Sequence, residues 1–195
     1  MNTSHVWELE AALLSPAMHT SERAADRRDA ASFDRLVVEE QAYVARLVGR
    51  LVGWRSDVDD LVQDVFVSAL GGWARFRGDC SARTWLTRIA LNKCRSYGRR
   101  RWVRERFLAA WQAQADSTAP IQRASAESGE VAAQVRHAVE RLRQRDREVI
   151  VLHYLEQVSP ADVAGVLNIS QNAVEVRLTR ARRRLKEILS REVEQ

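Results

Sequence analysis

Residues that break helices or cross-link chains are scarce in this sequence. Its 195 residues include three prolines and eight glycines, and apolar and polar residues never alternate over a sustained run, which argues against a β-sheet fold. The two cysteines, Cys80 and Cys94, form no CxxC pair and no signal peptide is recognisable, so we expect free thiols in a reducing cytosol. No apolar run approaches the length of a membrane span, which predicts no direct membrane insertion.

Recognisable catalytic and metal-binding patterns are also missing. The sequence has no P-loop, no HExxH motif and no glycine-rich phosphate cradle. Its four histidines are scattered and form no ligand set with the two cysteines. We therefore predict no catalytic residues, no metal, no cofactor and no small-molecule substrate, and hence a protein that is not an enzyme.

Helical periodicity is abundant instead. Hydrophobic residues make up 46% of the chain and recur at helical spacing across residues 33–52, about 56–72 and 81–101. Residues 112–130 have one large apolar side chain, Ile121, and are typical of a linker. Helical patterns resume at 131–142, at about 146–156 and onward to 191. The chain is thus predicted to be all-α, with two small helical domains joined by a flexible linker.

Opposite charges gather on two helices of the first domain. The second helix has an acidic outer face within the run 57–66, which by itself predicts a solvated carboxylate surface. On the third helix, nine Arg or Lys residues and a single acid, Glu105, fall between residues 82 and 106. Four polar residues there share one helix face by their spacing: Arg88, Asn92, Arg95 and Arg99. This face favours a polyanion as partner, since the net charge of the chain is also positive, at +5.

Residues 159–170 have the pattern of a helix-turn-helix, the geometry that lays one helix into the major groove of DNA. Ala164 is small enough for the helix crossing, Ile169 fills the turn and Ser170 is placed to cap the second helix. That helix should bury the stripe Val174, Leu178, Ala181, Leu185 and Ile188. Its opposite face carries the cations Arg177, Arg180, Arg182, Arg183, Arg184 and Lys186, which attract phosphates.

Taken in order, these motifs resemble the extracytoplasmic function (ECF) group of the sigma-70 family. They are the acidic run 57–66, the Phe76-Arg77-Gly78 loop, residues 84–92 and the helix-turn-helix. The resemblance implies an N-terminal arm of open role at 1–30, domain sigma-2 at 31–110, a linker at 111–130 and domain sigma-4 at 131–195. It also implies a sigma factor that binds core RNA polymerase and directs promoter-specific transcription initiation.

The resemblance assigns contact residues in sigma-2. Those expected to bind the clamp helices of the polymerase β′ subunit are Asp60, Leu61, Gln63, Asp64 and Phe66. Those expected to recognise and melt the minus-ten element are Phe76, Arg88, Asn92, Arg95, Arg99, Arg100 and Arg101. Phe76 and Asn92 would meet a base that has left the stack, and the arginines would hold phosphates. From the residues alone, core packing is an equal alternative for Phe76.

In sigma-4, which the family uses to bind the polymerase β flap, the resemblance assigns contacts with the minus-35 element. They are Ser170, Gln171, Asn172, Glu175, Val176, Arg177, Thr179, Arg180 and Arg183. Arg177 and Arg180 could each fork to guanine or clamp a phosphate, and Glu175 could accept from cytosine or repel the backbone. The chain departs from the family at four places. Glu175 stands where a basic residue is frequent, Val176 where a small polar residue is frequent, and Asn168 where glycine is common. Residues 141–146 lack the frequent Leu-Pro, which favours a helix that continues further.

Two other functions fit parts of the sequence. A stand-alone DNA-binding regulator would use the helix-turn-helix but leaves the acidic run without a partner. A DNA-processing enzyme such as a recombinase would need a pocket, whereas Asp57, Asp60 and Asp64 are spaced along an open face. For a sigma factor, the family implies an anti-sigma factor, through which a cytoplasmic protein could be held at the inner membrane.

Overall fold

The computed structural model describes residues 30–53, 57–112 and 130–193. These form seven α-helices and one π-helical segment, and none of these residues lies in a β-strand, in agreement with the predicted all-α class. The elements are α1 (Ala30–Val52), α2 (Val58–Trp73), α3 (Ala82–Gln112), α4 (Glu130–Arg141), α5 (Gln144–Ile150), the π segment (Val151–Leu155), α6 (Pro160–Leu167) and α7 (Gln171–Val193). Of the predicted arm at 1–30 and the predicted linker at 111–130, residues 30, 111–112 and 130 are helical, and the rest lie outside the described residues.

The first half of the described chain is a bundle of α1, α2 and α3, each packed on the other two. Leu47, Val65 and Leu86, one from each helix, are completely buried where the three meet. The hydroxyl groups of Tyr43 on α1 and Thr87 on α3 lie 2.9 Å apart in a buried hydrogen bond. The apolar stripe of α3 lies in this core: Leu86, Ala90 and Cys94 are buried, and Trp85 and Ile89 pack against the core.

Helix α3 runs eleven residues beyond the predicted end at Arg101, to Gln112. The sequence pattern missed this extension because its large side chains, including Trp102 and Phe107, are exposed and follow no buried stripe. Contacts one turn apart support the extension locally. Arg101 donates to Glu105 at 2.5 Å, and the guanidinium of Arg106 lies 4.8 Å from the centre of the Trp102 ring.

The second half consists of α4 to α7 with the π segment, and it corrects one expectation. The helix does not run through residues 141–146: it ends at Arg141, and α5 starts after Arg143, whose backbone is extended (φ −58°, ψ 143°). The side chain of Arg147 explains the break, because it satisfies carbonyls at the end of α4. Its guanidinium donates to the carbonyl oxygens of Val139 at 3.2 Å, Leu142 at 3.1 Å and Glu140.

The helix-turn-helix is built from α6 and α7 as predicted. The Ser159 hydroxyl caps α6 by accepting from the amide of Asp162 at 3.1 Å, and Ser170 caps α7 by accepting from the amide of Ala173 at 3.2 Å. Between the helices Asn168 adopts the left-handed conformation, with φ 53° and ψ 53°. The stripe that α7 turns inward is confirmed: Val174, Leu178 and Ala181 are buried, and Leu185 and Ile188 pack against the core.

The two halves lie against each other. Helix α1 contacts α4, α5 and the π segment, and α3 contacts α6. Buried apolar residues from both halves form one cluster. None of the helices in the described ranges is both long and apolar enough to cross a membrane.

Candidate nucleic-acid interface

The acidic face of α2 is open to solvent. Asp60, Gln63 and Asp64 are exposed, and the nearest cation to Asp64 is the Lys93 ammonium, with 4.0 Å between Nζ and Oδ2. Asp59 and Asp60 also occupy the first turn of α2, where carboxylates interact favourably with the helix dipole. The predicted carboxylate surface is therefore present. Its first-turn carboxylates also stabilise α2 itself, independently of any contact with a partner.

The apolar residues of this predicted set lie beneath the surface. Leu61 is 3% exposed and belongs to the core, and Phe66 is half-buried and packs against it, so Leu61 supports the helix from below. Two apolar residues that the sequence reasoning missed are exposed instead: Val67 at 69% and Leu70 at 56%. They continue the helical spacing of Asp60 and Gln63, a signal available in the sequence. The open face of α2 is thus acidic at one end and apolar at the other.

Phe76 lies in an aromatic cluster. Its ring stacks on Trp85 with 4.8 Å between centroids and on Trp73 with 5.7 Å, and Trp73 in turn meets Phe33 edge-on at 5.6 Å. Gly72 permits this packing, because a Cβ there would lie 3.2 Å from the Trp85 ring. Phe76 itself is half-buried. Core packing accounts for one side of the ring, while part of its surface remains accessible.

The basic face of α3 is only partly open. Arg88, Asn92, Arg99 and Arg100 are exposed, whereas Arg95 and Arg101 are half-buried. Arg99 donates to the Ser96 hydroxyl at 2.9 Å, within its own helix. Arg88 reaches the other half instead, where its Nη2 donates to the Gly165 carbonyl of α6 at 3.1 Å. Of the residues predicted to read the minus-ten element, four share one face of α3, and α6 approaches that face at Arg88: Arg88, Asn92, Arg95 and Arg99.

Two buried carboxylates of the second half, Glu148 and Glu156, were missed by the sequence reasoning. Glu148 accepts two hydrogen bonds from Arg95, which raise the pKa of the Arg95 guanidinium above its ordinary value. Glu156 accepts from Arg50 at 2.6 Å. The paired residues are 53 and 106 positions apart in the sequence. No local spacing could have revealed pairs so distant.

The residues predicted to read the minus-35 element gather at the start of α7. All are exposed except Arg177, which is half-buried: Ser170, Gln171, Asn172, Glu175, Val176, Thr179, Arg180 and Arg183. Glu175 accepts from the Gln171 side-chain amide at 3.4 Å, and its carbonyl accepts from the Thr179 hydroxyl at 3.0 Å. The predicted set thus forms one accessible surface on the second helix of the helix-turn-helix, the helix that enters the groove in this motif.

Comparison with known protein families matches both halves of the chain. The family described as Sigma-70 region 2 matches residues 36–104, and the family described as Sigma-70, region 4 matches residues 132–185. The RNA polymerase sigma factor NccH of Alcaligenes xylosoxydans xylosoxydans is 33% identical over 170 residues, which cover 86% of this chain and 91% of that protein. The ECF RNA polymerase sigma factor SigM of Mycobacterium tuberculosis is 31% identical over 166 residues, covering 83% of this chain and 79% of SigM.

Solved structures show the same relationship. CnrH in complex with the cytosolic domain of CnrY is similar with a TM-score of 0.62 and 32% identity, covering 87% of this chain and 94% of CnrH. The sigma factor RpoE of Bartonella quintana, solved with the anti-sigma factor NepR, has the same fold, with a TM-score of 0.64 and 23% identity over 81% of this chain and 96% of RpoE. With both family regions matched in order and relatives aligned over most of their length, the chain belongs to the ECF group of the sigma-70 family.

Proposed function

We propose that this chain binds core RNA polymerase and directs it to a set of promoters as an ECF sigma factor. One observation carries the proposal: a single chain presents an open carboxylate surface on α2 together with arginine-bearing helices in both halves, in the order that its family uses. Promoter recognition and core binding are the contribution of the sigma factor, and the polymerase performs the chemistry. Residues 31–110 would act as sigma-2 and residues 131–195 as sigma-4, joined by a linker at 111–130.

The α2 surface is the proposed docking site for the β′ clamp helices. Asp60, Gln63 and Asp64 project carboxylate and amide oxygens that can accept hydrogen bonds from arginines of a partner helix. Val67 and Leu70 add exposed apolar area that such a helix would cover. A mixed surface of this kind combines an apolar anchor with charge-assisted hydrogen bonds.

The arginine-bearing helices are the proposed promoter contacts. Asn92 on α3 and Phe76 in the loop before it would receive an unstacked base of the minus-ten element, with Arg99 and Arg100 of α3 on the phosphates. On α7, Arg177 and Arg180 would enter the major groove of the minus-35 element while it is still a duplex. The β flap of the polymerase would hold the second half in position over that element.

An anti-sigma factor is the proposed regulator. RpoE of Bartonella quintana has the same fold and was solved with the anti-sigma factor NepR, and CnrH was solved with the cytosolic domain of CnrY. The corresponding partner of this chain would cover the α2, α3 or α7 surfaces. We infer a cytoplasmic location, with any attachment to the inner membrane made through that partner.

Charge reversal on α2 tests polymerase binding. Asp60→Arg should abolish the complex with core polymerase in size-exclusion chromatography, because it places a cation against the partner's arginines while leaving the core intact. Asp34→Arg, at an exposed position of α1, is the matched control and should bind normally. Wild-type affinity in Asp60→Arg would overturn the assignment of this surface.

Transcription in vitro tests promoter selection. The chain, core polymerase and a library of genomic fragments should yield transcripts whose start sites share sequence elements about 10 and 35 base pairs upstream, about two and a half turns of duplex apart. Core polymerase alone is the control. A chain that forms no complex with the polymerase and starts no transcripts, yet binds duplex tightly by itself, would identify the stand-alone regulator instead.

A further inference from the structure

Besides the shared apolar cluster, the contact between the two halves includes ion pairs between arginines of the first half and carboxylates of the second. Arg95 of α3 donates from Nε and Nη2 to the two carboxylate oxygens of Glu148 in α5, at 2.8 and 2.7 Å. Arg50 of α1 donates to Glu156 at 2.6 Å, and Arg46 lies 3.7 Å from the same carboxylate. Two separate ion-pair sites therefore join the halves, one on α3 and one on α1.

Both carboxylates are almost completely removed from water. The side chain of Glu148 is 2% exposed and that of Glu156 is 3% exposed. A buried carboxylate without a cation is strongly disfavoured, so each depends on its arginine for as long as the halves are in contact. Arg95 and Arg50 keep 32% and 27% of their side-chain surface exposed. Another anion can therefore compete with each carboxylate for its arginine.

The same contact borders the surface of α3 that is proposed to read DNA: Arg95 is half-buried in it, while Arg88 and Asn92 lie exposed at its edge. Arg88 donates to the Gly165 carbonyl at 3.1 Å. Beside this bond, Arg88, Asn92 and Arg95 line one side of a cavity of about 320 Å³, whose other side is formed by residues 165–168 at the end of α6. A DNA strand that replaced Glu148 at Arg95 would have to occupy this space. The carboxylate surface of α2, in contrast, stays open while the halves are together.

We propose that Glu148 and Glu156 form an intramolecular latch that keeps α6 over the minus-ten surface of the free chain. The proposal rests on the proposed function, because it assumes that this face of α3 meets DNA. A carboxylate and a phosphate both use the guanidinium fork, so DNA and the latch exclude each other at Arg95. Polymerase can dock on α2 with the latch closed, and DNA access follows when the halves separate. The minus-ten surface of the free chain is thereby kept from non-specific nucleic acid.

A charge-neutralising double variant tests the latch. Glu148→Gln with Glu156→Gln, in the full chain, keeps the shape of both side chains and removes their charge. The control is Glu39→Gln with Glu40→Gln, which changes the net charge equally. Glu40 accepts from Arg83 Nε at 2.8 Å inside the first half, so the control loses an ion pair without disturbing the contact between halves.

Two measurements on the free protein report the outcome. Small-angle X-ray scattering gives the radius of gyration, and fluorescence anisotropy gives the affinity for a mixed-sequence single strand of about 20 nucleotides. The latch variant should expand, and its Kd should fall about tenfold if about nine molecules in ten are latched. The control should match the wild type in both. An unexpanded variant with wild-type helix content overturns the proposal, as does an expanded variant that binds the strand no more tightly.

The wild-type chain provides a test that needs no variant to fold. Saturating the wild-type chain with the same single strand should increase the radius of gyration of the protein, measured by neutron scattering with the DNA contrast-matched, because DNA and the latch exclude each other at Arg95. A chain that stays equally compact overturns the latch. None of these measurements contains polymerase. Failure of the proposed function would appear separately, as a wild-type chain that forms no complex with core polymerase.

Discussion

Helices α3 and α7 are both rich in arginine, but α3 has arginines bonded to the other half, whereas Arg184 of α7 pairs with Asp146 inside its own half. On α3, Arg95 is paired with Glu148 and Arg88 with a carbonyl of α6, both in the other half. On α7, the outward Arg180 and Arg183 are exposed, and Arg183 has Glu187 at 3.7 Å, an ion pair within one helix that contributes little. The comparison shows that cation counts do not measure a surface available to DNA. Whether an arginine is available to DNA depends on the carboxylates that folding places beside it.

The largest effect is expected from a variant that destabilises the second half, which packs against α3. Leu152, in the π segment, is completely buried, so Leu152→Ala should lower the free energy of unfolding of the second half by about 2–5 kcal/mol. Chemical denaturation followed by circular dichroism measures it. Leu155→Ala, three residues on at an exposed position, should change it little. Equal losses in the two variants would contradict the observed burial.

A second variant tests whether Arg177 on α7 contacts a DNA base. Arg177→Ala should weaken binding to the cognate minus-35 duplex by about 1–3 kcal/mol if the side chain reads a base edge, with a smaller loss on unrelated duplexes. Titrations of both duplexes measure the difference. Arg191→Ala, exposed near the far end of α7, is the control and should bind both duplexes nearly as the wild type does. An equal loss on all sequences would assign Arg177 to phosphate.

The corresponding variant on α3 is Arg99→Ala. Arg99 is exposed and bonded within its own helix, so it lies outside the ion pairs between the halves. Loss of one phosphate contact should reduce the slope of log K against log salt for single-stranded DNA by about 0.7. Arg35→Ala, exposed on α1, should leave the slope unchanged. A slope that Arg99→Ala does not alter would remove Arg99 from the DNA surface.

The smallest expected effect concerns the two thiols. Burial raises the pKa of Cys94 from 9.0 to about 12, with Glu148 adding to the shift, whereas Cys80 is half-exposed. Iodoacetamide should therefore alkylate Cys80 first in the folded chain, because the thiolate is the reactive form. Peptide mass spectrometry resolves the two sites. Equal rates in the folded state would contradict the burial of Cys94.

The same shift makes stability depend on pH. Between pH 9 and about 12 the unfolded chain loses the Cys94 proton and the folded chain retains it. The contribution of Cys94 to stability is therefore complete below pH 9 and is lost as the pH rises through this window. Comparison of the wild type with Cys94→Ala by denaturation at several pH values isolates this contribution, since only the wild type should show it.

Local periodicity predicted the parts of the fold that depend on local packing. The stripe Val174, Leu178 and Ala181 repeats at helical spacing and is buried, and Asn168 takes the left-handed conformation expected of it. The break after Arg141 was missed, because it depends on the guanidinium of Arg147 folding back onto carbonyls of the preceding helix. The spacing of apolar residues does not reveal such a hydrogen bond.

For the candidate surfaces, too, local spacing predicted some features and missed those that depend on contacts between distant residues. The open carboxylate face around Asp60 and Gln63 follows from spacing along one helix, and the structure presents it to solvent. Burial of Glu148 and Glu156 could not be anticipated, because it arises when α1 and α3 meet elements far away in the sequence. Charged residues with distant partners look like ordinary surface residues until the chain is folded.

Arg147 also contacts the first half, where its Nη1 donates to the carbonyl of Leu51 at 2.8 Å. One guanidinium therefore completes the ends of two helices, α1 and α4, that belong to different halves. A fragment that stops before α4 would leave the last turn of α1 to water, and fraying there would begin next to Gly53. Dissecting the protein into separate pieces consequently alters the pieces themselves.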